Sequence, residues 1–318
     1  MKTRLRLRPR IDPGAEVDAV AGITERLAVL LAAGVPAATA WRHVAIGRNA
    51  ADEQVLAAAA TAAGEGDDIA EAIRRACEER PGTAATWAVL AAAWSVAAEA
   101  GAPLAASLRS LAAVLRDEAQ LRRDVATALA GPAASARLVS ALPVVALGFG
   151  AMLGFDTIGI LLGNPLGLAC LVLGSLFLWV GARWNRRLAR SASASRADAG
   201  LELELLAIAM SSGASIQRAR ALALAAMQRH LPRVAGDGTV VDDVVGLAER
   251  AGAPVAELLR AEAFRVRRAA RTDGESRAAA LGVRLMLPLG ACVLPAFVLL
   301  GVAPLMISVV TGTLGGAM

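Results

Sequence analysis

Lysine is nearly missing from this chain of 318 residues: Lys2 is the only one, so 32 of its 33 basic residues are arginine. A phosphate-binding G-x-x-x-x-G-K-[ST] loop and a Schiff-base lysine within a fold are therefore both excluded. Tyrosine is absent, and five Trp with five Phe complete the aromatic set. A large β-sheet draws on β-branched and aromatic side chains, whereas this chain is rich in Ala and Leu, which favour helix. The fold class that follows is all-α.

Histidine is limited to His43 and His230. Neither belongs to an H-E-x-x-H helix or stands near a cysteine at ligand spacing, so no metal site is expected. Both read as ordinary residues of a helix surface or core. Cys77, Cys170 and Cys292 are an odd, widely separated set without C-x-x-C spacing, which implies no disulfide framework. No G-x-S-x-G elbow occurs. The paired acids Asp67/Asp68 and Asp242/Asp243 read as helix caps rather than catalytic carboxylates, because neighbours on a helix diverge by about 100°. No catalytic residue, cofactor or enzymatic activity is expected. A formal net charge of +5 would ordinarily suggest a polyanionic partner. Carried almost wholly by arginine in an alanine-rich chain, it looks like codon bias, and no nucleic-acid partner is expected.

What the chain has in abundance is apolar sequence, with 56% hydrophobic residues and a mean hydropathy of +0.54. Alanine raises hydropathy without driving membrane insertion, so a span requires about 18 uncharged residues that are also rich in Leu, Ile, Val and Phe. Leu138–Phe155, Leu166–Ala182 and Leu285–Val310 qualify. Pro81–Ala98 is uncharged too, but mostly Ala, Thr and Ser, and reads as a buried helix of a soluble bundle. Arg116, Arg122, Arg123 and Arg137 precede the first span, and Arg183, Arg186, Arg187 and Arg190 follow the second. The connector Asp156–Pro165 has no basic residue, and Arg265 to Arg284 supply six arginines before the third span. Because arginine marks the cytosolic side, the N-terminus is expected inside and the C-terminus outside.

The resulting division is a basic tail over 1–15, a cytosolic helical bundle over 16–136, spans at 137–155 and 166–184 joined by an external loop at 156–165, and a helix extension and linker over 185–200. A second cytosolic bundle over 201–284, a span at 285–310 and an external tail at 311–318 complete it. Met1–Arg10 is basic but leads into no apolar segment, unlike a secretory signal. Gly131-Pro132 is expected to break the helix entering the first span. No acid lies within a span, and Asp156 stands at an outer end, so an ion relay has no groups to use.

The two bundles resemble each other. Leu27 to Gly34 (LAVLLAAG) matches Leu206 to Gly213 (LAIAMSSG), and Ala100-Gly-Ala-Pro-Leu104 matches Ala251-Gly-Ala-Pro-Val255. Gly34 and Gly101 are 67 residues apart and Gly213 and Gly252 are 39 apart, so the second copy, shorter by 28, lacks helices present in the first. Gly34, Gly101, Gly213 and Gly252 suit the left-handed position that ends a helix, and Pro36, Pro103 and Pro254 restart the next. Leu104, Leu108, Leu111 and Leu115 form a helical stripe, and Asp68 with Glu71 resembles a capping box. Glu99 and Glu249 stand near helix ends where the dipole disfavours negative charge. They either pair with an arginine such as Arg109 or Arg250, or face a partner protein.

The order of bundle, span, short external loop, span, bundle and span resembles the type II secretion system F family. The likeness is closest to the Tad/Flp pilus assembly proteins TadB and TadC. Residues 20–190, with Ala136-Arg-Leu-Val-Ser-Ala-Leu-Pro143, Asn164-Pro-Leu-Gly167 and Trp184-Asn-Arg-Arg-Leu188, look like a TadB bundle and closing hairpin. Residues 201–310, with Val283 to Pro288 and Leu294 to Pro304, look like the end of a TadC protein. The resemblance implies a bacterial inner-membrane scaffold whose partners are a hexameric secretion ATPase, a second platform subunit or another copy of itself, and pilin or pseudopilin subunits. A membrane permease subunit is the alternative reading.

Overall fold

A computed structural model describes residues 12–46, 50–78, 84–152, 159, 162–163, 165–193, 199–232, 234, 238–284, 286–304 and 306–307. The fold is all-α. In chain order the main helices are α1 (Ala15–Ala32), α2 (Ala37–Ala45), α3 (Ala50–Glu65), α4 (Ile69–Glu78), α5 (Ala84–Ala100) and α6 (Leu104–Met152). They continue with α7 (Pro165–Ser193), α8 (Leu201–Met210), α9 (Ile216–His230), α10 (Gly238–Ala251) and α11 (Val255–Arg284). Beyond α11, short α-helical turns at Met286–Pro288 and Leu294–Phe297 alternate with π-helical turns at Leu289–Val293 and Val298–Val302. Pro295 lies in that stretch, where a missing N–H leaves the ladder to re-pair with a wider turn.

The described residues form two compact units, one from 12–123 and 199–272 and one from 124–193 and 273–307. In the first, the stretches expected as two separate bundles share a single core. Its centre is α5, which packs against α1, α4, α8 and α9. Apart from Glu99, this helix carries no charge and has apolar residues on every face, so it can be satisfied only by being surrounded. Trp87, Leu90 and Ala91 to Ala93 are all buried. Trp94 meets Trp41 of α2 edge to face at 5.3 Å between centroids, and Trp87 Nε1 donates to the buried Asp52 of α3 at 3.3 Å.

Two helical stretches are long and apolar enough to cross a membrane: Pro165–Leu188, in the second unit, with mean hydropathy 2.0, and Val255–Val302, which begins in the first unit and continues into the second, with 2.3 in its most apolar window. At 1.5 Å per residue, the 24 residues of the first reach about 36 Å. Only 17% of its window is buried, so most of this apolar surface is left uncovered by the rest of the chain. Residues 153–158, the linker at 194–198 and the tail at 311–318 lie outside the described set, so the span expected at 137–155 is described only as far as Met152. The break expected at Gly131-Pro132 does not occur, since α6 is continuous through both. Proline costs one ladder hydrogen bond, and the alanine-rich flanks continue the helix on either side.

Candidate functional site

Five reversals of the first unit share one construction. Gly34, Gly66, Gly101, Gly213 and Gly252 have φ of 82, 80, 69, 82 and 64°, and each stands three residues ahead of the next helix. In four of them the residue after the glycine donates its N–H to a carbonyl five residues back. These bonds are Val35 to Leu30 (3.0 Å), Asp67 to Ala62 (2.9 Å), Ala102 to Ala97 (2.8 Å) and Ala253 to Ala248 (3.1 Å). This is the Schellman closure that satisfies the last carbonyls of a helix.

The second residue after each glycine opens the following helix. Pro36, Pro103 and Pro254 do so by backbone alone, with Pro36 at the cap rather than inside the first turn. Asp68 Oδ1 accepts from the N–H groups of Ala70 and Glu71 at 2.9 and 3.2 Å, and Ser215 Oγ accepts from Arg218 at 3.4 Å. Gly66 was not among the sequence-derived turns. Its signal is the Gly-x-Asp spacing ahead of Ile69, the same offset as Gly-x-Pro elsewhere.

Glu99 lies in the last turn of α5, where its Oε1 accepts from Ser95 Oγ at 2.7 Å and lies 3.7 Å from Arg229 Nη1 of α9. The cations named from the sequence were Arg109 and Arg250. Arg229 takes their place because α9 packs on α5, a pairing that belongs to the shared core. Glu249 is exposed on α10. Asp242 is not a cap either: it lies inside α10 and pairs with Arg220 of α9. His43 is exposed on α2, and His230 is buried at the end of α9.

Three further ion-paired groups organise the unit. Glu71 receives Arg74 and Arg75, and the Arg74 hydrogen bonds hold its carboxyl down at about 2. Glu25 of α1 meets Arg116 of α6, one bond being 2.9 Å, and both side chains are well exposed. Glu204 of α8 is 1% exposed and meets both terminal nitrogens of Arg267 of α11 at 3.2 Å. Ser110 Oγ of α6 donates to the other Glu204 oxygen at 2.5 Å. A carboxylate this far from water is tolerated only with such a complete set of partners.

In the second unit, α7 packs against the stretch 286–302 through glycine. A Cβ on Gly174 would stand 2.5 Å from Leu300 Cγ, and one on Gly181 would stand 3.0 Å from Cys292 Cβ. With Gly167 these glycines are buried at a spacing of seven, the pattern by which membrane helices approach closely. That stripe was not read from the sequence, although the spacing was there to be counted.

Among the described residues no group of three or more His, Cys, Asp or Glu is gathered as a metal would require. Burial pushes the Cys77 thiol up to about 11, which makes it a core residue rather than a nucleophile. What the first unit offers chemically is a rigid, capped and ion-paired helical surface. No curated protein matches the chain. Residues 23–151 match the family described as Type II secretion system (T2SS), protein F, a stretch that runs from within α1 to the penultimate residue of α6. The F proteins are platform components of secretion and pilus-assembly machines without enzymatic activity. Over residues 23–151 the chain is therefore similar to T2SS protein F.

Proposed function

We propose that this protein is the inner-membrane platform of a Tad/Flp-type pilus or secretion machine, coupling a hexameric cytosolic ATPase to the extraction and assembly of pilin or pseudopilin subunits. The match over residues 23–151 carries the reading. The chain is built as a TadB-like first copy and a TadC-like second copy of one helical module, with three spans, the N-terminus inside and the C-terminus outside.

The ion pairs support the duplication. Glu25 and Glu204 are 179 residues apart, as are Gly34 and Gly213; Arg116 and Arg267 are 151 apart, as are Gly101 and Gly252. Each copy thus closes its first helix on its last with one Glu–Arg pair at the same register. The buried set Leu90, Ala93, Trp94 and Ala97 of α5 has its counterpart at the same offset in Val241, Val244, Val245 and Ala248 of α10. On this alignment the second copy lacks the α3–α4 hairpin.

Glu249 and the open side of Glu99 are assigned to the contact with the ATPase or a second platform subunit. The test is affinity purification of the tagged full chain from its native host. A secretion ATPase and pilin-like proteins are expected among the retained proteins, and the ATPase is expected to be lost from a Glu99→Gln, Glu249→Gln variant that keeps the wild-type melting temperature. Retention of a nucleotide-binding cassette subunit instead would establish the permease alternative and overturn the platform.

A further inference from the structure

We propose that the polar end of α7 is a binding site for the headgroup of an anionic phospholipid. The inference rests on the reading that α7 crosses the bilayer. The segment 157–197 contains no Asp or Glu and five arginines, at 183, 186, 187, 190 and 196. Among the described residues Arg186 and Arg187 join none of the ion pairs that engage arginines throughout the first unit. The Arg183 guanidinium lies over the Trp179 ring, 5.8 Å from its centroid.

Residues 179, 183 and 187 form one ridge along the helix, a turn apart each time. On one side a cleft of about 540 Å³ is lined by Trp179, Val180, Arg183, Trp184, Arg187 and Leu188, largely apolar in character. On the other a smaller cleft of about 130 Å³ is lined by Trp179, Ala182, Arg183, Arg186 and Arg187. The first has the chemistry of an acyl-chain groove and the second that of a phosphate cradle, because guanidinium forks match phosphate oxygens. Trp179 and Trp184 are 62% and 42% exposed. They stand where the uncharged run ends at Ala182, the depth at which tryptophan anchors a span among headgroups. A cationic cluster at that depth selects anionic lipid.

The chain supplies its own probe. Of its five tryptophans, Trp41, Trp87 and Trp94 are at most 4% exposed, leaving Trp179 and Trp184 as the accessible reporters. The full chain is reconstituted into vesicles of fixed phosphatidylcholine and phosphatidylglycerol content. Brominated acyl chains are carried on phosphatidylglycerol in one preparation and on phosphatidylcholine in the other, at equal mole fraction. Brominated phosphatidylglycerol is expected to quench tryptophan emission several-fold more strongly, and the excess is expected to vanish in an Arg183→Gln, Arg186→Gln, Arg187→Gln variant. Equal quenching of the wild type by the two lipids would overturn the proposal without touching the membrane assignment. Absence of quenching by either would remove the membrane assignment of α7 and the proposal with it. Loss of the excess on adding inorganic phosphate would identify a free-anion site instead, and would also overturn the lipid assignment.

Discussion

Arg116 and Arg267 bring the same charge to the same kind of partner, and their surroundings make the two contacts unequal. Glu25 and Arg116 share their interaction with water and salt, so exchanging Arg116 for Ala is expected to leave stability within experimental scatter. Arg267→Ala strands the Glu204 carboxylate, 1% exposed, without a counter-charge and with only the Ser110 hydroxyl donating to it, and is expected to cost about 3–5 kcal/mol. Denaturant unfolding of the two variants beside wild type measures the difference; equal losses would mean that burial does not distinguish the pairs. Neither pair was legible in advance. Each joins residues more than sixty positions apart, and a sequence reveals that a helix has a charged face without revealing what meets it.

His230 gives the residue scale a pH dependence. It is 5% exposed and neither ring nitrogen has a partner among the described residues. Burial lowers its pKa below the usual 6.5; Arg229 and Arg74 act in the same direction, and Asp68 and Glu71 oppose them. The folded protein therefore refuses a proton that the unfolded chain accepts. The stability linked to this residue is complete above the unfolded pKa and is lost as pH falls through and below it. A His230→Met variant escapes that penalty. Its melting temperature is expected to gain on wild type as the pH is lowered from about 7.5 to about 5.5, and a pH-independent difference would refute the assignment.

Elements were more legible than their partners. The lack of charge over Pro81–Ala98 marked α5 as an interior helix, and the apolar stripe from Leu104 gave the buried face of α6, where Leu108 and Leu111 are fully buried. Gly-x-Pro marked three reversals because proline is conspicuous, whereas at Gly66-Asp-Asp68 only the Asp68 cap was legible, and the glycine closure ahead of it, which no proline follows, was not. The expected break at Gly131-Pro132 failed for a related reason: a proline inside a strongly helix-forming segment removes one bond and leaves the helix standing. Gly101 tests the turn argument directly. A Cβ there meets nothing within 4 Å, but φ is +69°, so the constraint is backbone conformation alone. Gly101→Val is expected to lower folded yield through a cost of about 1–2 kcal/mol. Gly101→Asn, which tolerates the left-handed region, is expected to retain most of it. Equal losses in both would point to packing instead.

At the scale of the whole molecule, the arginine asymmetry about the apolar runs predicts the topology. A periplasm-active reporter fused after Met318 is expected to be active, and the same reporter inserted in α3, within residues 50–65, is expected to be silent; the reverse pattern would invert the assignment. The sequence also suggested two bundles where one core exists. Repeated landmarks reveal kinship between two stretches of chain, and kinship is equally compatible with separate folding and with packing together. Only the fully apolar circumference of α5 hinted that a second set of helices was needed to cover it.

That shared core has a consequence in time. Its first contribution ends at residue 123 and its second begins at residue 199, with α7 between them. A ribosome working at about 5–20 residues per second takes on the order of ten seconds to travel from residue 123 to residue 272. During that interval the flank of α5 that will receive α8 and α9 has no cover, and the whole of the intervening apolar helix is made before that cover arrives. Synthesis thus imposes an order in which the apolar α7 emerges before the core can close, and the nascent chain carries an unfinished hydrophobic surface for the whole of that passage.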